Sequence, residues 1–319
     1  MNYILRRIIT AAVTMFLVSV FCFLAFSVIR GDPASLTGGI DVTPGQLEIL
    51  REEMGLNRGI FYRFFDWLSG FLAGNPGNSL YFRGEAISAI IKERLPVSLT
   101  LAFLSIILIL IISIPVSLLT VKREGGFLDR IINFLTAAGI STPGFFLGLL
   151  FIFFFGLTVR LFVPGSYSDY RENFLAFIGF LFFPSLAIAL PNAAVMIKFL
   201  RISLFHELHS DYARTARSKG ADLFYILRRH VLKNAVIPAV TVFGMIIAEV
   251  FSGSIVIEQV FTIPGIGRLL ITAVSSRDYP LIQTLMVYIA FIVVAANTLA
   301  DIVIMILDPR IRPSNRIIQ

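Results

Sequence analysis

Six uninterrupted apolar runs, each long enough to cross a lipid bilayer as a helix, are the feature that most constrains this chain of 319 residues. A bilayer needs about 20 residues of α-helix, and the runs lack the alternating pattern of a membrane β-barrel. With 57% hydrophobic and 15% charged residues, the composition is that of an all-α membrane protein. The predicted spans are Ile8–Ile29, Pro96–Val121, Ile131–Val159, Phe174–Ile197, Ala235–Ile257 and Leu281–Leu307.

The distribution of lysine and arginine predicts the orientation of these spans. Residues 198–234 carry eight Lys and Arg, whereas residues 258–280 carry two. Lys122, Arg123 and Arg130 fall in the loop between the second and third spans. Because basic loops stay on the cytoplasmic side, we expect both termini in the cytoplasm. The net charge of +7 follows from this bias, and no aromatic-flanked basic groove indicates nucleic-acid binding.

The spans divide the chain into three parts. Residues 1–29 hold the N-terminus and the first span, residues 30–95 form an extracytoplasmic loop, and residues 96–319 form a five-span core. The first run could be a secretory signal, since Arg6 and Arg7 precede it. Its length and the lack of a small-residue cleavage site favour a retained helix.

The extracytoplasmic loop contains two predicted short helices. Thr43–Leu56 reads as an amphipathic helix that ends near Gly55. Phe61–Gly74 places aromatic residues beside charges, which is typical of a helix lying on the membrane interface. Two interpretations remain open for this loop: a cap packed on the protein's own spans, or a docking surface for an extracytoplasmic partner.

Motifs for covalent chemistry are missing. No GxxxxGK[ST] phosphate loop, HExxH or CxxC occurs, so we expect no ATP site of that type and no catalytic residues. His206 and His209 have helical spacing, but two ligands are weak support for a metal, and we predict none. Cys22, the only cysteine, is expected to be a small buried side chain. Glu249 and Asp301 are the only charges within the spans, and neither has an obvious partner.

One basic segment, within the cytoplasmic loop at about 198–234, stands between two apolar runs. Asp211–Lys219 has the composition of a solvated helix, and Gly220 is placed to end it in a left-handed turn. Asp222 can cap a second helix. Ala213 and Ala216 form a strip of small residues that another protein surface could approach. The segment therefore predicts a helix–glycine–helix module on the cytoplasmic face.

This segment resembles the EAA loop of the membrane subunits of binding-protein-dependent ABC importers, and more closely their dipeptide/oligopeptide/nickel branch. Ala216 and Gly220 match the general loop pattern, whereas Arg214 and Thr215 stand where other branches have Glu and Ala. Pro238 follows the glycine by 18 residues, a longer spacing that the peptide branch shares. Further stretches that resemble this branch, in its order, are Tyr3–Ile8, Arg30–Pro33, Glu93–Ala102, Glu258–Leu270, Arg277–Gln283 and Leu307–Arg312.

The resemblance implies the six-helix transmembrane-domain fold of type I ABC importers, in the cytoplasmic membrane of a bacterium or archaeon. It implies that the chain pairs with a second, related permease and with an extracytoplasmic binding protein, while two cytoplasmic ATPase subunits use ATP and magnesium. This chain itself would bind no cofactor. The residues that the resemblance assigns to ATPase coupling are Asp211, Tyr212, Arg214, Thr215, Ala216, Lys219, Gly220 and Pro238.

The transported solute and two other classes of protein remain as alternatives. Short peptides are the expected solute, but nickel, glutathione and oligosaccharide importers share this branch. A stand-alone secondary transporter would show paired charges and inverted repeats. The third class is an intramembrane enzyme, which would need catalytic residues within its spans, or an assembly scaffold. We expect Glu249 to face the pathway or the partner permease, because an acid within a span is costly against lipid.

Overall fold

The computed structural model describes residues 3–28, 43–53, 57–163 and 165–307, and helices account for most of these ranges. Within them, an isolated antiparallel bridge joins Asn78 to Ala86. In chain order, the elements are α1 (Tyr3–Val28), α2 (Pro44–Glu53), α3 (Ile60–Leu72), α4 (Ile87–Lys122), α5 (Phe127–Ser141), α6 (Gly144–Phe151) with a π-helical continuation (Ile152–Thr158), α7 (Phe174–Leu208), α8 (Asp211–Ser218), α9 (Leu223–Ile226), a π-helical turn (Leu227–Val231), α10 (Leu232–Val260), α11 (Ile266–Ser276) and α12 (Tyr279–Leu307).

Five of the six predicted spans are single long apolar helices: α1, α4, α7, the continuous α9–α10 unit and α12. Three of them begin or end well outside the apolar runs. α4 begins at Ile87, α7 ends at Leu208, and the α9–α10 unit begins at Leu223. The chain is therefore a multi-pass membrane protein whose spans continue as helices beyond the predicted apolar runs.

The third predicted span, Ile131–Val159, is not one straight helix. α5 and α6 meet at an angle of 102°, so this apolar run forms two helices joined at a sharp bend. Pro143 precedes α6 as its N-cap, and Thr142 before it is extended, with φ −100° and ψ 119°. A proline lacks a backbone N–H and disfavours helical backbone in the preceding residue, which accounts for the break.

Helices α4, α7 and α10 form the main core. Small buried side chains on α4 and α7, including Ser113, Ser117 and Ala189, let the two helices approach closely, as in other membrane bundles. Ser117 donates to the backbone oxygen of Ser113 at 2.7 Å, so its hydroxyl is satisfied within its own helix. Larger fully buried side chains of this core are Leu101, Ile109, Leu181, Leu200, Leu204, Val250 and Ile257.

Helix α1 lies at the edge of the bundle against α12. Arg7 and Asp301 form an ion pair at 3.1 Å across these two helices. Asp301, for which the sequence shows no obvious partner within the spans, is therefore paired with a residue just before the first span. In the sequence, Arg7 is only a charge that flanks the first span, because nothing there indicates that the first and last spans are neighbours.

The two short helices predicted in the extracytoplasmic loop correspond to α2 and α3. The loop is tied to the end of the bundle by Asp278, whose Oδ2 accepts hydrogen bonds from the Ser79 hydroxyl and from the Tyr81 backbone N–H at 3.1 Å. A second apolar core lies beside this tether, formed by α4, α11 and α12 around Ile87, Leu269 and Leu281. The stretch at Arg30–Pro33 and the tail after residue 307 lie outside the described residues.

Candidate coupling segment

The cytoplasmic segment has the helix–glycine–helix form predicted from sequence. α8 begins at Asp211, whose carboxylate stands in the first turn, where the positive end of the helix dipole favours it. At its other end, the Gly220 N–H donates to the Arg217 oxygen at 3.0 Å and the Ala221 N–H to the Ala216 oxygen at 3.3 Å. These two bonds form a Schellman motif, which satisfies the last carbonyls of the helix.

Gly220 has the left-handed backbone that the Schellman motif requires, with φ +81°. A Cβ added at this position would have no neighbouring heavy atom within 4 Å. The demand for glycine therefore comes from backbone conformation and not from crowding within the chain.

The second helix of the segment continues into the fifth span. Asp222 caps it by accepting a hydrogen bond from the Phe224 N–H at 2.9 Å, as predicted. Ile226, Leu227 and Val231 are fully buried in the main core. Because the helix runs from α9 through the π-helical turn into α10, a force on the segment acts on the span directly.

The exposed face of α8 is polar. Among the predicted coupling residues, the exposed ones are Asp211, Tyr212, Arg214, Thr215, Lys219 and Gly220. Ala213 is buried against the main core and Ala216 is half-buried beside it. The expectation of a small-residue strip facing another protein is therefore wrong for Ala213, because both alanines lie on the side of α8 that packs against this chain's own spans.

Local contacts hold the segment in place. Tyr212 donates its hydroxyl to Glu207 Oε2 at 2.6 Å, and burial together with this bond raises the pKa of the Tyr212 phenol. Lys122, at the end of α4, lies 5.1 Å above the Phe224 ring in a cation–π contact. The remaining exposed basic residues of the segment, Arg217, Arg228, Arg229 and Lys233, leave a strongly positive cytoplasmic surface.

Pro238 does not mark a boundary between the loop and the fifth span. It lies inside α10, six residues after its first residue, Leu232. Its side chain is exposed on the same helix face as Thr241, Met245 and Glu249. The structure therefore separates Pro238 from the helix–glycine–helix module and aligns it with the candidate pathway residue.

Glu249 lies on an outward face of α10. Within the described residues, its carboxylate has neither a hydrogen bond nor an ion pair, and its side chain is exposed. Ser252 and Val256 continue the same face toward the far end of the helix. An unpaired acid at this position needs water, a solute or another subunit, because lipid alone leaves it unsolvated.

The stretch Glu258–Leu270 contains a buried carboxylate that the sequence does not reveal. Glu258 is fully buried and accepts hydrogen bonds from the Ser98 hydroxyl at 2.6 Å and from the Arg268 N–H at 3.0 Å. The Ser98 oxygen in turn accepts from the Ile266 N–H at 2.8 Å. A Cβ on Gly265 would collide with the Glu258 carboxylate. The acid therefore fastens the start of α11 to α4, and its only sequence signal is the following Pro-Gly-Ile-Gly turn.

A second ionic cluster, which the sequence does not reveal, lies on the side predicted to be cytoplasmic. Asp129 on α5 is buried and pairs with Arg201 on α7 at 3.0 Å. Asn133 bonds to both side chains, and the Gly125 N–H donates to Asp129 at 3.1 Å. The cluster fixes the loop after α4 to the helix that leads into α8. In the sequence, Asp129 and Arg201 look like ordinary loop charges.

The described residues contain no group of three or more potential metal ligands. His206 is exposed, and His209 uses Nδ1 in a 2.8 Å contact with the Phe205 backbone oxygen. The two imidazoles therefore have surroundings ordinary for the cytoplasmic end of a helix.

Family models and known relatives match most of this chain. Residues 113–313 match the family described as binding-protein-dependent transport system inner membrane component, and residues 1–102 match its N-terminal family. A probable peptide ABC transporter permease from Sinorhizobium fredii is 36% identical over 97% of this chain and 99% of its own length. An oligopeptide transport system permease from Bacillus subtilis is 34% identical (97% and 98%), and a dipeptide transport system permease from Lactococcus lactis is 31% identical (98% and 99%). The chain therefore belongs to the family of binding-protein-dependent transport system inner membrane components.

Proposed function

We propose that this chain, as the permease subunit of an ATP-driven ABC importer, forms part of a pathway that carries short peptides across the cytoplasmic membrane of a bacterium or archaeon. The observation that carries the proposal is the charged helix pair of α8 and α9, whose buried side chains Ala213 and Ile226 belong to the core of the spans. The names of the three relatives, which span peptide, oligopeptide and dipeptide transport, support peptides as the solute.

Other subunits supply what this chain lacks. A second, homologous permease completes the pathway, and an extracytoplasmic binding protein delivers the solute. Two cytoplasmic ATPases bind ATP and magnesium, since the sequence has no phosphate loop. Both termini lie in the cytoplasm, on the side where the positive loops are retained.

The coupling segment is the contact through which the ATPases act. The exposed residues of α8 meet an ATPase cleft, and the surrounding positive charge orients the encounter. When the ATPases close on ATP, they displace the segment. Because α9 and α10 are continuous and Leu227 and Val231 are fixed in the core, the displacement tilts the fifth span between two states of the bundle.

The test is solute uptake by the complete complex in liposomes. The complex, with its binding protein outside and ATP inside, should accumulate labelled di- or oligopeptides. Omitting either ATP or the binding protein should abolish uptake. Uptake that is driven by an ion gradient without ATP would contradict the importer mechanism and favour a secondary transporter.

Solute identity is decided in the same assay by competition. Nickel, glutathione and oligosaccharides are the alternatives that share this architecture. Excess unlabelled peptide should block uptake, and the binding protein should retain peptide through purification. Retention of one of the other solutes in its place, with no peptide uptake, would contradict the peptide proposal while leaving the permease role intact.

A further inference from the structure

Helix α3 in the extracytoplasmic loop has two apolar faces, and among the residues that the structure describes only one of them packs against other parts of the chain. The first face packs on the protein's own spans through Phe64, Trp67 and Phe71. The second face is rotated from the first by less than a third of a turn about the helix axis, and it is directed outward. Its residues, spaced as i, i+4, i+7 and i+11 on one helical stripe, are Phe61, Phe65, Leu68 and Leu72.

The outward stripe is too apolar for a helix bathed in water. Phe61 is 79% exposed, Phe65 59% and Leu72 76%. Asp66 and Ser69 stand exposed on the remaining side of the helix. α3 is thus amphipathic even after its contacts with the other described residues are counted, and the apolar side that these residues leave open needs an occupant.

The contacts of α3 place it at membrane depth. The Phe64 ring lies 6.1 Å from Phe16 and 5.3 Å from Phe23 of α1, measured between ring centroids. Phe23 is about 8 Å and Phe16 about 18 Å from Val28 along α1, at about 1.5 Å per residue, so the Phe64 ring lies between these two depths. At the other end of α3, Phe71 lies 5.1 Å from Tyr288, about 10 Å inside the apolar run that begins at Leu281. α3 therefore lies beside the apolar parts of two spans and not above their ends.

Helix α1, against which α3 packs through Phe64 and Trp67, is an apolar span. On α1, Leu17, Phe21 and Leu24 are exposed large apolar side chains, Phe21 at 74%. A water-soluble partner cannot reach a face that lies at the depth of these residues. The start of α3 carries an interface signature as well, since Arg58 lies over the Tyr62 ring at 4.7 Å, and such pairs of basic and aromatic residues suit the headgroup region.

We propose that α3 is embedded in the extracytoplasmic leaflet, where the stripe Phe61, Phe65, Leu68 and Leu72 contacts lipid acyl chains. Asp66 and Ser69 face the headgroups and water. The helix anchors the extracytoplasmic loop in the bilayer beside α1 and α12. The inference concerns the lipid surface alone and holds whichever solute the complex carries.

The test measures the surroundings of single spin labels in the complete complex in liposomes. The native thiol is first removed by Cys22→Ser, and nitroxides are then attached to Phe65→Cys and Leu72→Cys, with Asp66→Cys as the matched control on the polar side. The ratio of collision with oxygen to collision with a water-soluble nickel chelate should be several-fold higher at positions 65 and 72 than at position 66.

Two other outcomes would overturn the proposal. High nickel accessibility at positions 65 and 72 would place the stripe in water. Low accessibility to both reagents, with an immobilised label, would show that another subunit covers the stripe. Both labels replace exposed side chains, so attaching them does not disturb the core. The two positions lie on one stripe and should therefore give the same result.

Discussion

Gly220 links a single backbone angle to the proposed coupling function. Its φ is +81°, which costs a residue with a side chain about 1–2 kcal/mol, and most for a β-branched residue. We expect Gly220→Val to leave membrane insertion intact, because no span is changed, and to reduce ATP-dependent uptake strongly. Uptake at matched expression of the complex measures this effect.

Gly220→Asn is the matched control for that substitution, since asparagine tolerates the left-handed region. It should retain most of the uptake that Gly220→Val loses. Pull-down of the ATPases then separates a docking defect, in which they are lost, from a transmission defect, in which they remain and hydrolyse ATP without transport. Normal uptake by Gly220→Val would mean that coupling occurs at another cytoplasmic loop.

Glu249 offers the most direct test of the proposed peptide pathway. A hydrogen bond to a charged group contributes about 1.5–3 kcal/mol, so contact with a peptide amino group predicts that Glu249→Gln weakens uptake of cationic peptides about tenfold or more. Met245→Leu, on the same exposed face, is the control. Equal uptake of cationic and neutral peptides by Glu249→Gln and wild type would exclude contact with substrate.

At the scale of elements, the stability of α11 depends on the close approach of its first turn to the Glu258 carboxylate. The Gly265 Cα lies so near the Glu258 carboxylate that an added Cβ has no room. Gly265→Ala should therefore lower the free energy of unfolding by about 1–3 kcal/mol, the usual cost of overpacking. Thermal unfolding of the purified protein in detergent measures this loss.

Gly253→Ala is the matched control for the α11 prediction, because a Cβ there meets nothing within 4 Å and alanine favours the helix. Its unfolding temperature should equal or exceed that of the wild type. If Gly265→Ala were as stable as Gly253→Ala, the Glu258 carboxylate would not be held against α11 as described.

For the whole molecule, the proposal that partner subunits bind ATP predicts how the isolated chain behaves toward ATP. Purified without its partners, it should neither bind nor hydrolyse ATP, because the sequence has no phosphate loop. Equilibrium dialysis with labelled ATP and magnesium tests this, with the assembled complex as the positive control. Tight, magnesium-dependent binding by the single chain would contradict the assignment of ATP to partner subunits.

Features determined by neighbouring residues could be predicted from the sequence. Apolar runs long enough for the bilayer located α1, α4, α7, α10 and α12, because each helix satisfies its own backbone hydrogen bonds within lipid. The cap at Asp222 and the left-handed turn at Gly220 are likewise local. The family resemblance rested on the same kind of short, contiguous motif.

Only the tertiary structure revealed the contacts between distant residues. Ser98 and Glu258 are 160 positions apart, and Arg201 and Asn133 are 68 apart. Which side of α8 is buried depends on the spans against which Ala213 packs. Within a bilayer, apolar periodicity does not tell lipid from protein neighbours, because both are apolar. The sequence by itself therefore determined the long apolar helices and the turn at Gly220, whereas packing decided which of their faces meet.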